Sequence, residues 1–145
     1  MRYTLPQPWR DLDHTADVGV AVEGATAEEA LARLVLAFAA LLAGGAPVEV
    51  ERDEPLAVEA AGGGPALALA VLRELLYRFA VERVLPGACE VVMLAPCRAE
   101  LTIGFGRHDP ALHAGGLDLK AVTRHAARFE RGEDGAWRAQ VVFDV

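Results

Sequence analysis

Hydrophobic and polar positions alternate with period two from Val18 to Glu23. Val18, Val20 and Val22 fall on one side, and Gly19, Ala21 and Glu23 on the other. This is the pattern of a half-buried strand. Gly24 ends it, and the period then changes. Thr26 and Glu29 form a capping box, in which the threonine hydroxyl accepts from the Glu29 N–H and the glutamate reaches back. Behind it Leu31, Leu34, Val35, Phe38, Leu41 and Leu42 recur at helical spacing as a single apolar stripe, stopped by Gly44 and Gly45.

Residues 47–60 read as a strand, a turn and a second strand, or as one bent strand, with the break at Asp53, Glu54 and Pro55. The segment AGGGP (61–65) is flexible, and Pro65 suits the first turn of a second helix. Leu67, Val71, Leu72, Leu75, Leu76 and Phe79 form its stripe, which fades before Pro86 and Gly87. Residues 90–94 and 98–105 then resemble a hairpin around Ala95 and Pro96, followed by a loop without apolar periodicity. Residues 120–130 and 137–144 read as two strands joined by RGEDG, whose Asp134 and Gly135 are a strong hairpin signal. Trp137, Ala139, Val141 and Phe143 share one face of the last strand. Strands and helices do not alternate strictly, which argues against a parallel doubly wound sheet. The expected fold is α+β: two amphipathic helices packed on one face of a mostly antiparallel mixed sheet, as a single domain over residues 1–145.

Composition narrows the functional classes. The 145 residues are 53% hydrophobic and only 6% aromatic, as in a compact globular domain rather than a disordered chain. No apolar run reaches the length of a membrane span, and the first residues carry no apolar secretory segment, so a cytoplasmic location is expected. A net charge of −7 disfavours direct, non-specific nucleic-acid binding and favours metal cations or a basic protein partner; the spacing of Arg124 and Arg128 is the only candidate for a local basic patch that would override it. Cys89 and Cys97, with seven residues between them in apolar sequence, match no metal spacing or disulfide framework and read as inert packing residues. The chain has no serine, which excludes a serine nucleophile, and no phosphate-binding loop ending in Lys-Ser or Lys-Thr. The neighbours His108 and Asp109 evoke metal-dependent phosphohydrolases, but such sites need further His and Asp ligands and the chain has four His in all.

A different constellation comes from the strand ends. Asp17 opens the first clear strand and Asp144 closes the last, and antiparallel neighbours place the start of one beside the end of the other. The α-carboxylate of Val145 would then lie within one residue of Asp144. Oxygen donors of this charge suit a hard cation such as Ca²⁺ or Mg²⁺. Spacing alone leaves the plainer reading open, with Asp17 capping a turn and Asp144 a solvated tail residue. Asp13 and His14 sit beside Asp17 in sequence. Lys120 opens a strand after a Gly-rich loop that also holds His113. Either is an ordinary surface or structural residue, or a partner-facing group near the acidic cluster.

Together these residues resemble one family, archease. The resemblance lies in DHTADVGV (13–20), TAEEAL (26–31), LRELLYRF in the second helix, His113 seven residues before Lys120, KAVTRH (120–125) and WRAQVVFDV (137–145). It implies a small cytoplasmic protein that is not itself an enzyme but activates an RtcB-type RNA ligase, promoting its guanylylation and repeated turnover. That ligase joins RNA 2′,3′-cyclic phosphate or 3′-phosphate ends to 5′-hydroxyl ends, with GTP and Mn²⁺, in tRNA splicing and RNA repair. RNA would be met only through the ligase. The resemblance also implies a divalent cation, calcium first and Mn²⁺ or Mg²⁺ as alternatives, held by Asp17, Asp144 and Val145. Lys120, with His14, Asp13 and His113, would face the ligase or its nucleotide. Arg124 stands where the family commonly has Tyr, and Arg107 follows Gly106 where it usually has a Gly-Glu pair. Two other readings are a small metal-dependent phosphohydrolase built on Asp13, His14, Asp17 and Asp144, and a metal-independent, chaperone-like interaction module.

Overall fold

The structure, a computed structural model, describes residues 1–12 and 17–145. Its elements are β1 (Arg2–Thr4), β2 (Arg10–Leu12), β3 (Asp17–Gly24), α1 (Ala27–Ala43), β4 (Arg52–Glu59), α2 (Gly64–Glu82), β5 (Val84–Ala95), β6 (Arg98–Arg107), β7 (Ala121–Arg131) and β8 (Trp137–Asp144). The class is α+β, as the pattern predicts. The strands divide into two four-stranded antiparallel sheets, ordered β1-β5-β6-β4 and β2-β3-β8-β7, rather than forming one. Both helices touch strands of both sheets, so the helical layer lies between them.

That position corrects the single stripe expected of α1. Ala30, Leu31, Ala32, Leu34, Val35, Leu36, Ala37, Phe38 and Ala39 are all buried, on every side of the helix. A helix apolar all round belongs inside a core, and α1 packs against β5 on one side and β3 and β8 on the other. Its ends are fixed locally. The Thr26 hydroxyl accepts from the Glu29 N–H at 3.1 Å, and Glu29 accepts from the Ala25 N–H at 2.8 Å. The Tyr3 hydroxyl donates to the other Glu29 oxygen at 2.8 Å, tying β1 to this helix end. These donors hold the Glu29 carboxyl below its ordinary value, the Ala25 N–H first. Gly44 closes the helix at φ +63°, where a Cβ would meet the Gly115 backbone at 2.4 Å.

α2 keeps the expected one-sided stripe, burying Leu67, Val71, Leu72, Leu75 and Phe79 while Tyr77 and Val81 face outward. Its N-cap, Gly63, supplies no side-chain cap.

The first sheet settles one alternative of the pattern and departs from it elsewhere. The region 47–60 holds one strand, β4, the second of the two readings, and it runs straight through Pro55. It does so because β4 is an edge strand, where a missing N–H on the open side costs no ladder bond. Residues 48–50 instead cross the face of β5 and β6, and a Cβ on Gly106 would meet the Glu49 carbonyl oxygen at 2.3 Å. Pro86 and Gly87 do not separate α2 from a later strand. They lie inside β5, at a register shift between Pro86 and Ala88. β1 and β2, three residues each, are too short to show a period. One core draws on both helices and both sheets, and among the described residues no helix is long and apolar enough to cross a membrane.

Candidate functional site

Eight consecutive pairs join β3 to β8, from Gly24 opposite Trp137 to Asp17 opposite Asp144. Because side chains alternate, one register decides both faces. Val18, Val20 and Val22 meet Phe143, Val141 and Ala139 in or against the core. Asp17 and Asp144 therefore fall on the other face as a directly opposed pair, whose Cβ atoms such pairing holds about 5 Å apart. The β3–β8 ladder thus brings Asp17 and Asp144 together at one end, as their places at the strand ends predict.

β7 pairs with the other edge of β8. Ala121 stands opposite Asp144, and the Lys120 N–H donates to the Asp144 carbonyl at 2.8 Å. This bond fixes the backbone of Lys120, the chain's single lysine, beside the acidic pair. Its side chain is exposed, and Val145 is 46% exposed one residue beyond Asp144. Among the described residues neither Asp17 nor Asp144 has a side-chain hydrogen bond or ion pair. Like charges opposed across a ladder are destabilising on their own. Two unpaired, opposed carboxylates are oxygen donors of the kind a hard divalent cation takes. Among the described residues no group of three or more His, Cys, Asp or Glu is placed to hold a metal. Asp13 and His14 lie outside the described residues.

The structure places His113 elsewhere than at a partner-facing surface. Its side chain is 3% exposed. Nδ1 accepts from the Asp109 N–H at 2.9 Å, and Nε2 donates to the Pro47 carbonyl at 2.9 Å, which assigns the proton to Nε2. His113 thus pins the loop between β6 and β7 to the segment before β4, with both nitrogens used inside the chain. His113→Ala leaves that donor and acceptor unmatched and is expected to cost about 2 kcal/mol or more of folding stability in urea titration. Unchanged stability would contradict the pinning role.

His108 and Asp109 are likewise loop residues. The His108 ring meets Phe79 edge-on at 5.1 Å, and Asp109 accepts from the Ala111 and Leu112 N–H groups as a turn cap. Cys89 is buried, which pushes its thiol up to about 12. Cys97 is exposed at the β5–β6 turn, not packed in the core, because Pro96 turns the chain there. Sequence reasoning missed the bulge in β7 that sits between Thr123 and Arg128 and sets the position of Arg124.

A helical layer between two antiparallel sheets, with an unpaired acid pair at one ladder end, defines a small α+β protein. A family model described as "Archease protein family (MTH1598/TM1083)" matches residues 9–145, and the chain belongs to this family. It is 31% identical over 140 residues to protein archease of Pyrococcus furiosus, covering 94% of this chain and 98% of the relative. It is 33% identical over 142 residues to protein archease of Methanopyrus kandleri, covering 95% and 99%. The solution structure of Methanobacterium thermoautotrophicum protein 1598 has the same fold, with a TM-score of 0.66 at 23% identity, covering 94% of this chain and 98% of that one.

Proposed function

We propose that this archease-family chain is a metal-binding protein cofactor of an RtcB-type RNA ligase, acting in the cytoplasm in tRNA splicing and RNA repair rather than catalysing a reaction itself. Family membership supports the partner. The observation that carries the mode of action is the Asp17–Asp144 register, which opposes two carboxylates that no described residue neutralises.

Asp17, Asp144 and the Val145 carboxylate would hold a divalent cation, calcium first. A bound cation would supply positive charge against phosphoryl oxygens while the ligase accepts its guanylyl group. The chain's own part is to keep both carboxylates at one fixed strand end, rigid because Val18, Val20, Val141 and Phe143 anchor the ladder in or against the core. Lys120, held next to Asp144 by its backbone bond, would bring an ammonium to the same end, where it offsets phosphate or pyrophosphate charge. RNA is met only through the ligase.

A ligation assay tests this, with substrate in large excess over purified ligase. Adding the chain is expected to convert roughly one round per ligase into many, and chelator is expected to remove the gain. An unchanged number of rounds would overturn the proposal. Stimulation that survives chelator would leave a metal-independent interaction module.

A further inference from the structure

Between the first turns of α2 and the middle of β7 lies a groove of about 440 Å³, lined by Gly62, Pro65, Ala66, Leu69, Arg73, Arg124 and Ala127 among others. Its size falls in the range of small-molecule sites. Among the described residues no carboxylate lines it, although the chain is acidic overall. Its two charged residues are both arginines. The Arg73 guanidinium donates to the Val122 carbonyl at 3.3 Å, which orients it and leaves its other N–H groups unused. Among the described residues Arg124 has no ion pair or hydrogen bond.

Arg124 reaches this groove because β7 is interrupted. Thr123 pairs with Val142 and Arg128 with Gln140, so four residues of β7 stand against Val141 alone. Ala126 sits at φ +57°, and the Gln140 amide donates to its carbonyl at 2.8 Å. Bulges of this kind re-aim side chains, and a left-handed non-glycine residue persists only where its surroundings fix it. The bulge puts a second guanidinium on the groove that Arg73 already lines. Two like charges sharing a groove repel unless an anion lies between them.

We propose that this groove is a binding site for a small phosphate ester, its phosphate held by Arg73 and Arg124 and its remainder against the Ala66, Leu69 and Ala127 wall. Arginine forks match phosphate oxygens bidentately. The uncapped first turn of α2 lies in the same wall and adds to the attraction without carrying it. The site uses none of the residues assigned to the cation and stands independently of the ligase proposal.

Amide-resolved NMR titration of the full chain with inorganic phosphate and with AMP tests it. Saturable shifts are expected at residues 61–66 and 123–128, tighter for AMP than for phosphate. Arg124→Ala and Arg73→Ala are each expected to weaken binding at least tenfold. Arg107→Ala, an exposed arginine outside the groove, is expected to leave it unchanged. Circular dichroism checks that each variant keeps its fold, and Arg124→Glu, on an exposed side chain, gives a second loss of binding without removing the Arg73 bond to Val122. Absence of saturable shifts, shifts centred elsewhere, or wild-type affinity in Arg124→Ala would overturn the proposal.

Discussion

Asp144→Asn is expected to lose most of the thermal stabilisation that Ca²⁺ gives the wild-type chain, with no loss of stability in chelator. Both halves follow from the register. In the metal-free protein Asp17 and Asp144 are opposed and unneutralised, so removing one charge relieves a repulsion. The apo Tm is therefore unchanged or slightly raised. A cation that binds only the folded chain stabilises it by about 2.7 kcal/mol at a hundredfold excess over Kd, which for a chain of this size raises Tm by roughly 5–10 °C. Loss of one of the three proposed ligands is expected to weaken affinity at least tenfold, and each tenfold removes about 1.4 kcal/mol of the effect. Differential scanning calorimetry in chelator and in Ca²⁺ separates the two. A fall in apo stability would mean that Asp144 is a structural residue, and a full calcium response in the variant would remove it from the ligand set.

Phe38→Ala is expected to cost about 3–5 kcal/mol, the range for truncating a fully buried aromatic side chain. Phe38 is 0% exposed at the centre of α1, with its ring centroid 5.8 Å from that of Phe143. It therefore joins the helical layer to the strand that ends in Asp144. Domains are stable by only about 5–15 kcal/mol, so this one change takes a large share and lowers Tm by roughly 10 °C or more. Urea unfolding measures it directly. A loss under about 1 kcal/mol would contradict the burial of α1 between two sheets.

The parts of the fold that were legible in the sequence are those set by local chemistry. Thr26 and Glu29 announce the start of α1 because both cap bonds close within a few residues, and Gly44 announces its end. The alternation of Val18, Val20 and Val22 and of Trp137, Ala139, Val141 and Phe143 gives β3 and β8, with Asp134 and Gly135 turning into the latter. What stayed hidden depends on distant partners. Ala30, Ala32, Ala37 and Ala39 are buried, yet alanine is at home on either side of a helix, so only the leucines, valine and phenylalanine drew a stripe. The division into two sheets rests on which strands pair, and β5 continues through Pro86 and Gly87 because β6 and the crossing segment at 48–50 accommodate the shift.

The candidate site divides along the same line. Asp17 and Asp144 were legible as a pair because one opens a patterned strand and the other closes one, and antiparallel pairing brings those two ends together. His113 was not legible as a buried residue, since the Pro47 carbonyl that receives its Nε2–H is 66 residues away. Arg124 drew notice with Arg128 as a candidate basic patch and as a departure from the family pattern, not as part of a groove. Its place on the groove depends on the β7 bulge, which no local pattern foretells.

If the opposed carboxylates make this chain an activator, the effect is read in the number of ligations per RtcB-type ligase molecule when the supplied protein is wild type or the Asp17→Asn/Asp144→Asn double variant, at equal concentration and with folding verified. Many rounds are expected with wild type, and with the variant no more than the unassisted ligase achieves. Equal stimulation by the two would contradict it.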